Sequence, residues 1–296
     1  MQQNRPAFLN ECVDLHMHSH ASDGTLTPSE LMASAKAAGM QVVALTDHDT
    51  CTGVAEAWIA AEQLGICLIP GIELSCGGSK EIHVLGYGVD PEHPGLQTFR
   101  ARRISERQAR AAAMMDALEA AGVPLDREYV YSIASDFIGR PHIARGLVYA
   151  CVVNTVEEAF SRYLVEGKPG YVPRPEVTVR EGCELIHEAG GVAVLAHPME
   201  LGYGESVLSS LVHEWRGQGL DGMEIYHPST ANHKVGMLRS IARQEGLLVT
   251  GGSDFHGPDI RDTGIGEGVD RWETVREDLP RLFDKIHMPF PWISAL

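Results

Sequence analysis

Short apolar runs recur along the chain, and most lead into a histidine or a carboxylate. Cys12-Val13-Asp14-Leu15 runs into His16-Met17-His18, residues 41–46 into Asp47-His48-Asp49, residues 66–72 into Glu73, and residues 247–253 into Asp254-Phe255-His256. The run 81–85 carries His83 within it, and the run 191–196 ends in His197-Pro198. Runs this short and apolar, bounded by turn residues, read as buried strands. Between them the spacing turns helical. Thr27-Pro28-Ser29-Glu30 predicts a helix start, with Thr27 as cap, proline in the first turn and Glu30 closing a capping box. Gly39 ends that helix after Ala38, and a second predicted helix over 51–64 is closed by Gly65.

The pattern breaks around Asp90-Pro91-Glu92-His93-Pro94-Gly95. A long arginine- and alanine-rich helix is predicted over 97–121, followed by shorter helical pieces to about 165 with no strand between them. Tyr171-Val172-Pro173-Arg174-Pro175 returns the chain to strand and helix alternation: helix 178–189, strand 191–196, helix 206–217, strand 221–226, helix 231–244, strand 247–252 and a terminal helix 272–285. The expected architecture is one large α/β domain or a barrel, built from 10–96 and 171–296, with 97–170 inserted as a helical block that can cover the site and recognise substrate.

In a strand, side chains alternate faces, so His16 and His18 point the same way and can grip one cation. Asp23, in the turn-rich segment that follows, can fold back toward them. In barrels and open α/β sheets, the C-terminal edge of the strands is where active sites gather. The bland alternative is that 14 histidines must fall somewhere. Their recurrence at the same end of successive strands favours a metal site.

Composition narrows the function classes. The formal charge of −16 opposes binding of duplex nucleic acid but leaves room for a small phosphorylated substrate. No apolar stretch approaches the ~20 residues needed to span a bilayer, and Met-Gln-Gln-Asn-Arg-Pro at the start lacks the apolar region expected of a signal peptide. Cys12, Cys51, Cys67, Cys76, Cys151 and Cys183 are scattered without a CxxC pair and read as buried free thiols, which points to the cytoplasm. No GxxxxGK loop is present, which argues against an ATPase.

The motifs Asp14-Leu15-His16-Met17-His18-Ser19, Ser22-Asp23-Gly24, Leu45-Thr46-Asp47-His48-Asp49, Gly71-Ile72-Glu73, Leu195-Ala196-His197-Pro198 and Gly252-Ser253-Asp254-Phe255-His256 resemble, in order, those of the PHP (polymerase and histidinol phosphatase) superfamily of metal-dependent phosphoesterases. The resemblance implies a distorted (β/α)7 barrel. Gly139-Arg140-Pro141-His142-Ile143-Ala144, within the insertion, resembles the branch holding 3′,5′-nucleoside bisphosphate phosphatases and a related exonuclease on short RNAs. It further implies three divalent ions: His16, His18, Glu73 and Asp254 around the first, Glu73 with His83 and His197 around the second, and Asp23, His48 and His256 around the third. The resemblance favours manganese, with Fe²⁺ or Zn²⁺ as alternatives for an imidazole and carboxylate set lacking thiolate.

Such a centre suits phosphate-ester hydrolysis, because cations lower the pKa of bound water from ~15.7 toward ~7 and cover charge on the phosphoryl oxygens. The expected reaction is in-line attack by a metal-bound hydroxide. His197 and His256 are the candidates to assist the leaving oxygen, although ligands are poor proton donors. Arg107 and Arg110 share a helix face and can clamp a second phosphate, against the bland reading of a solvated helix with Glu106–Arg110 pairing. His142 can reach the same phosphate, or simply make a local bond at a helix start; Arg140 and Arg145 are weaker candidates. Asp47 and Asp49 are candidates to orient a ligand imidazole. His20 reads as solvent-facing or supporting, and His227 past a strand can touch substrate. His187, His213, His233 and His287 read as surface residues.

The leading function is removal of the 3′-phosphate from a 3′,5′-nucleoside bisphosphate to leave a nucleoside 5′-phosphate. Rivals are a 5′→3′ exonuclease on short 5′-phosphorylated oligonucleotides and a histidinol-phosphate phosphatase. A metal-dependent amidohydrolase also starts from HxH, but Lys36, Lys80, Lys168, Lys234 and Lys285 do not clearly end strands, where many such enzymes place a carboxylated lysine.

Overall fold

Seven short strands, mostly buried on both faces, form one sheet in chain order: β1 (Cys12–Asp14), β2 (Met40–Leu45), β3 (Cys67–Cys76), β4 (Ile82–Tyr87), β5 (Val192–Leu195), β6 (Gly222–Tyr226) and β7 (Leu248–Gly251). The computed structural model describes residues 12–78, 80–134, 138–258, 260, 263–268 and 273–288. The stretch ahead of Cys12 that was read for targeting signals, and position 272 at the predicted start of the terminal helix, lie outside the described residues. Strands β1 to β3 run parallel, as do β5 to β7, which fits their continuous apolar character. The α/β class expected from the sequence is therefore present.

Strand β4 is the exception, antiparallel to both β3 and β5. Its reversal puts the start of β4, and so His83, at the edge where the other strands end. The register sets His83 opposite Ser75, two residues past Glu73, and the His83 carbonyl accepts the Ala196 N–H at 3.0 Å. Beyond β1 the chain stays extended against the continuation of β7. Leu15 N–H donates to the Gly251 carbonyl at 3.2 Å, His18 N–H to Phe255 at 2.9 Å, and Asp254 N–H to His16 at 2.8 Å.

Helix α1 (Pro28–Ala37) begins as its sequence predicts, with Thr27 and Glu30 in a reciprocal capping box. Helix α2 (Val54–Leu64) starts three residues later than the reading from Cys51, because Thr50 Oγ1 accepts the Thr52 N–H and holds 51–53 in a turn. Helix α3 (Pro94–Ala120) starts three residues earlier than expected, since proline at a helix start already has the required φ. Then come α4 (Arg127–Ser132), α5 (Arg140–Tyr149), α6 (Val156–Ala159), α7 (Val179–Glu188), α8 (Glu205–Gly217), α9 (Asn232–Glu245) and α10 (Glu273–Lys285).

The chain divides into two compact units, one holding the residues through Gln97 and from Val177 onward, the other Thr98–Glu176. The sheet lies in the first. The second is helical and has its own apolar core, including Met114, Met115, Leu118, Ile143, Leu147 and Leu164. All six cysteines are free, and burial pushes the Cys51 and Cys183 thiols up to about 12. Cys151 departs from the expected burial and is exposed, just past the C-terminus of α5. Among the described residues, no helix is long and apolar enough to cross a membrane.

Close approach of two backbones makes Gly252 a critical position. A Cβ there would lie 2.5 Å from His16 N and 2.8 Å from His16 Cα. Gly252→Ala is expected to destabilise the fold by about 2–4 kcal/mol, because backbone must move to admit one methyl group. A thermal melt unchanged from wild type would refute this.

Candidate metal centre

Each strand end delivers its side chain to one place, and Glu73 stands at the middle of it. Its Oε2 lies 3.2 Å from His16 Nε2, 3.2 Å from His18 Nε2 and 3.1 Å from His48 Nδ1. Its Oε1 lies 2.9 Å from His83 Nδ1 and 3.1 Å from His197 Nε2. Asp254 Oδ1 closes one side, 3.4 Å from His16 Nε2 and 3.1 Å from His18 Nε2. Asp23 approaches from the turn, 3.3 Å from His256 Nε2 and 3.7 Å from His48 Nε2. Two of these residues, His197 and Asp254, take positive φ values of 25° and 53°, a strain that non-glycine residues bear mostly at functional sites.

All the metal candidates named from the sequence are brought together. Among the described residues four donor sets compact enough for a cation emerge: His16, His18, Glu73 and Asp254; His18, Asp23, His48 and His256; His48, Glu73 and His83; and Glu200, His227 and Asp254. The first matches the expected grouping, and the second adds His18 to the expected trio. The third substitutes His48 for His197, although His197 Nε2 lies 3.2 Å from His83 Nδ1. A cation-binding role also fits the unpaired atoms. His16 Nε2, both His18 ring nitrogens, His48 Nδ1 and Glu73 Oε2 are buried without a hydrogen bond in the structure. Buried polar atoms are seldom left so, and clustered imidazole nitrogens and carboxylate oxygens are the donors that divalent transition metals take.

Surrounding carboxylates fix which ring nitrogen points inward. Glu224, fully buried in β6, accepts from His16 Nδ1 at 3.1 Å and from the His197 N–H at 2.8 Å. His256 Nδ1 donates to the Asp254 carbonyl at 2.8 Å. Both imidazoles therefore carry their proton on Nδ1 and turn the Nε2 lone pair to the centre, the usual way an outer carboxylate or carbonyl sets a ligand tautomer. Glu200 sits 3.5 Å from His197 Nδ1, and Glu81 3.5 Å from His83 Nε2. Glu224→Gln is expected to weaken metal binding about 10- to 100-fold and, by leaving buried His16 without its anion, to lower the melt of the metal-free protein as well. Metal titration checks it, and an affinity like wild type would refute it.

The loop carrying Asp23 is held from below by Asp47, which accepts from Ser19 N–H and Oγ at 2.8 Å each and from Ser22 Oγ at 2.7 Å. Asp14 does the same for the last strand end, accepting from Ser253 Oγ at 2.6 Å, Ser253 N–H at 3.0 Å and Gly266 N–H at 2.8 Å. Asp49 accepts the Ser75 N–H at 2.9 Å. Asp47, read from sequence as a candidate to orient an imidazole, thus orders a loop.

The electrostatics follow from packing five imidazoles about one carboxylate. Burial pushes the Glu73 carboxyl up, but His48, His83 and His16 outweigh it and hold Glu73 well below its ordinary range. Burial works against charge on His18, yet Asp254 and Glu73 raise it to about 10; Glu73 and Glu81 do the same for His83. At His48 burial wins and lowers it to about 4.

The substrate candidates Arg107, Arg110 and His142 lie in the second unit. Arg110 Nε donates to the Val172 carbonyl at 2.8 Å, and Glu106 pairs backward with Arg103 at 2.9 Å. His142 Nδ1 accepts the Gly139 N–H at 3.1 Å, the local bond of the bland reading, which leaves the ring proton on Nε2. Burial, Arg145 and Arg107 keep His142 below its usual value. Of the weaker candidates, Arg140 lies over the Phe160 ring. Sequence reasoning missed Glu224 and Glu200. The signal for Glu224 was a carboxylate inside the apolar strand Gly222-Met223-Glu224-Ile225-Tyr226; Glu200 left none.

Comparison with known proteins agrees with this geometry. The PHP domain profile matches residues 14–128. The chain is 38% identical over 246 residues to a 5′-3′ exoribonuclease of Haemophilus influenzae, covering 83% of this chain and 90% of that protein. It is 36% identical over 265 residues to a 3′,5′-nucleoside bisphosphate phosphatase of Chromobacterium violaceum, covering 87% and 92%. Among solved structures, an amidohydrolase from Chromobacterium violaceum with bound sulfate and no metal superposes with a TM-score of 0.75 at 35% identity, covering 86% of this chain and 90% of that one.

Proposed function

The chain belongs to the PHP family and is a metal-dependent phosphoester hydrolase, and from that premise we propose that it removes the 3′-phosphate from 3′,5′-nucleoside bisphosphates, leaving a nucleoside 5′-phosphate. The observation that carries the reading is the convergence of His16, His18, Asp23, His48, Glu73, His83, His197, Asp254 and His256 around one carboxylate, in a chain similar along most of its length to a phosphatase of that specificity.

In this reading those nine side chains hold three divalent ions, manganese first among the candidates, on a distorted (β/α)7 barrel carrying a helical insertion at 97–170. Bound there, the cations would supply Lewis acidity, lowering the pKa of water and neutralising charge on the phosphoryl oxygens. The protein's own part is preorganisation. Glu73 gathers the imidazoles, and Glu224 and the Asp254 carbonyl fix the His16 and His256 tautomers. Asp47 and Asp14 hold the two loops that present Asp23 and Asp254. Arg107, Arg110 and His142 are assigned to the phosphate that is not cleaved, with the guanidinium fork suited to phosphate and His142 Nε2–H as a further donor. The charge of −16 and the free thiols support a small substrate in a reducing cytoplasm.

The exoribonuclease likeness favours a second reading, 5′→3′ trimming of short 5′-phosphorylated RNA. Phosphate release from adenosine 3′,5′-bisphosphate, AMP and histidinol phosphate, alongside nucleotide release from a 5′-phosphorylated trinucleotide, separates them. The bisphosphate should turn over fastest, with Arg107→Ala raising its KM about 10-fold or more. Faster cleavage of the trinucleotide would replace the first reading with the second.

A further inference from the structure

Helices α9 and α10 both border β7, and between them lies a cavity of about 580 Å³. Its floor is apolar: Leu247 and Val249, both buried, stand where β7 begins. One wall is a single face of α9, since Gly236, Arg239, Ser240 and Arg243 follow the i, i+3, i+4, i+7 spacing. A Cβ on Gly236 would meet nothing within 4 Å, so that wall leaves open space where a side chain would stand. The opposite wall is α10, which contributes Arg281 and Asp278. Asp278 is engaged through both oxygens, Oδ2 accepting the Val249 N–H at 2.8 Å and Oδ1 accepting from Arg281 at 2.6 Å. Glu245, the one carboxylate within α9, lies 3.1 Å from His213 Nδ1. Among the described residues, three guanidiniums therefore line this cavity against one carboxylate.

Such a cluster runs against the rest of the chain, whose net charge is −16. Arg239 and Arg243 are four apart on one helix, where like charges repel, and a single carboxylate leaves two positive charges without a counterpart. A phosphate monoester carries close to that charge in the opposite sign and three acceptor oxygens. We propose that this cavity is a second anion site that takes a phosphate monoester or free phosphate, distinct from the metal centre. Arg239 and Arg243 hold the phosphoryl oxygens from α9, with the planar fork that suits them, and Arg281 closes on them from α10. Leu247 and Val249 receive the organic part of an ester, in a volume suited to a small ligand. Strand polarity keeps the two sites apart: the cavity sits where β7 enters the sheet, whereas Asp254 and His256 follow its exit. An anion held here is bound and not cleaved, whichever ester the metal centre hydrolyses.

The test is calorimetric titration of the manganese-loaded protein with AMP, inorganic phosphate and adenosine in about 0.15 M salt, where attraction to exposed charge is largely screened. Metal content and thermal melt are measured on every sample. Wild type should bind one equivalent of AMP more than the double variant Arg239→Ala/Arg243→Ala, with affinity at that site falling about 10-fold or more for each arginine removed. Arg107→Ala should keep this equivalent. Arg239→Lys/Arg243→Lys, which preserves the charge but not the fork, should keep part of the affinity. AMP binding about 10-fold tighter than phosphate names a nucleotide as the occupant, and equal affinities name free phosphate; either supports the site. The same count and affinity in wild type and the alanine pair overturns it, as does adenosine binding as well as AMP. A lysine pair that keeps the wild-type melt yet binds no better than the alanine pair in a protein that has lost its melt or metal overturns it too, by making the arginines a support of the fold. Turnover of the bisphosphate plays no part in this count, so either reading can fail while the other stands.

Discussion

Exchanging Glu73 for glutamine should empty the centre and lower phosphate release by a factor of about 1000 or more. The carboxylate is fully buried and touches five imidazoles, three through Oε2 and two through Oε1. An amide has the same shape but no charge, and one of its ends presents N–H donors where ring nitrogens converge. It therefore cannot bridge the donor sets in which Glu73 takes part. Losing that anion removes the shared ligand and several kcal/mol of charge stabilisation, and ~4 kcal/mol already corresponds to about 1000-fold in rate. The fold should survive, since the substitution preserves volume and leaves the β3 backbone pairs untouched. Metal analysis, phosphate release and circular dichroism on one preparation decide the matter. A variant holding its full metal content and wild-type rate would remove Glu73 from the centre.

The legible part of this site was what strand geometry dictates. Apolar runs ended at His16, His48, Glu73 and Asp254, and parallel strands bring such ends to one edge. The caps of α1 followed from Thr27, Pro28 and Glu30 alone. His83 lay at the start of its run, so the same rule gave no reason to place it beside His197. Only the reversal of β4 does that, and reversal depends on pairing with β3 and β5. Glu224 was opaque for a similar reason. Its partner His16 is 208 residues away, and nothing local tells an inward carboxylate with a partner from one without. Asp47 was misread because extended geometry predicts where a side chain points but not which loop will fold over it. Ser19 and Ser22 occupy it.

Metal loading should release protons, and its affinity should fall as pH falls. In the metal-free protein His18 and His83 titrate at about 10, so both are protonated at neutral pH, while His48 at about 4 is not. His16, which burial lowers but Glu224, Glu73 and Asp254 hold well above its ordinary value, is protonated as well. Metals bind the neutral ring, so loading displaces about three protons near pH 7.5, and affinity drops by up to about 1000-fold per unit of acidification. Calorimetry in buffers of different ionisation enthalpy reads the number directly; heats that do not depend on buffer would contradict it. The same shifts govern stability with opposite consequences in the two forms. His18 and His83 are raised from an ordinary 6.5, so their contribution to the metal-free fold is complete below 6.5 and is lost as pH rises toward about 10. Glu73, held below its ordinary 4.5, contributes above that value and loses its contribution in acid. Once cations replace the protons, the alkaline loss has no source. The gap in Tm between loaded and chelator-stripped protein should therefore widen steadily from pH 7 to pH 10, and a gap that narrows would mean that the imidazole protons do not hold the empty centre together.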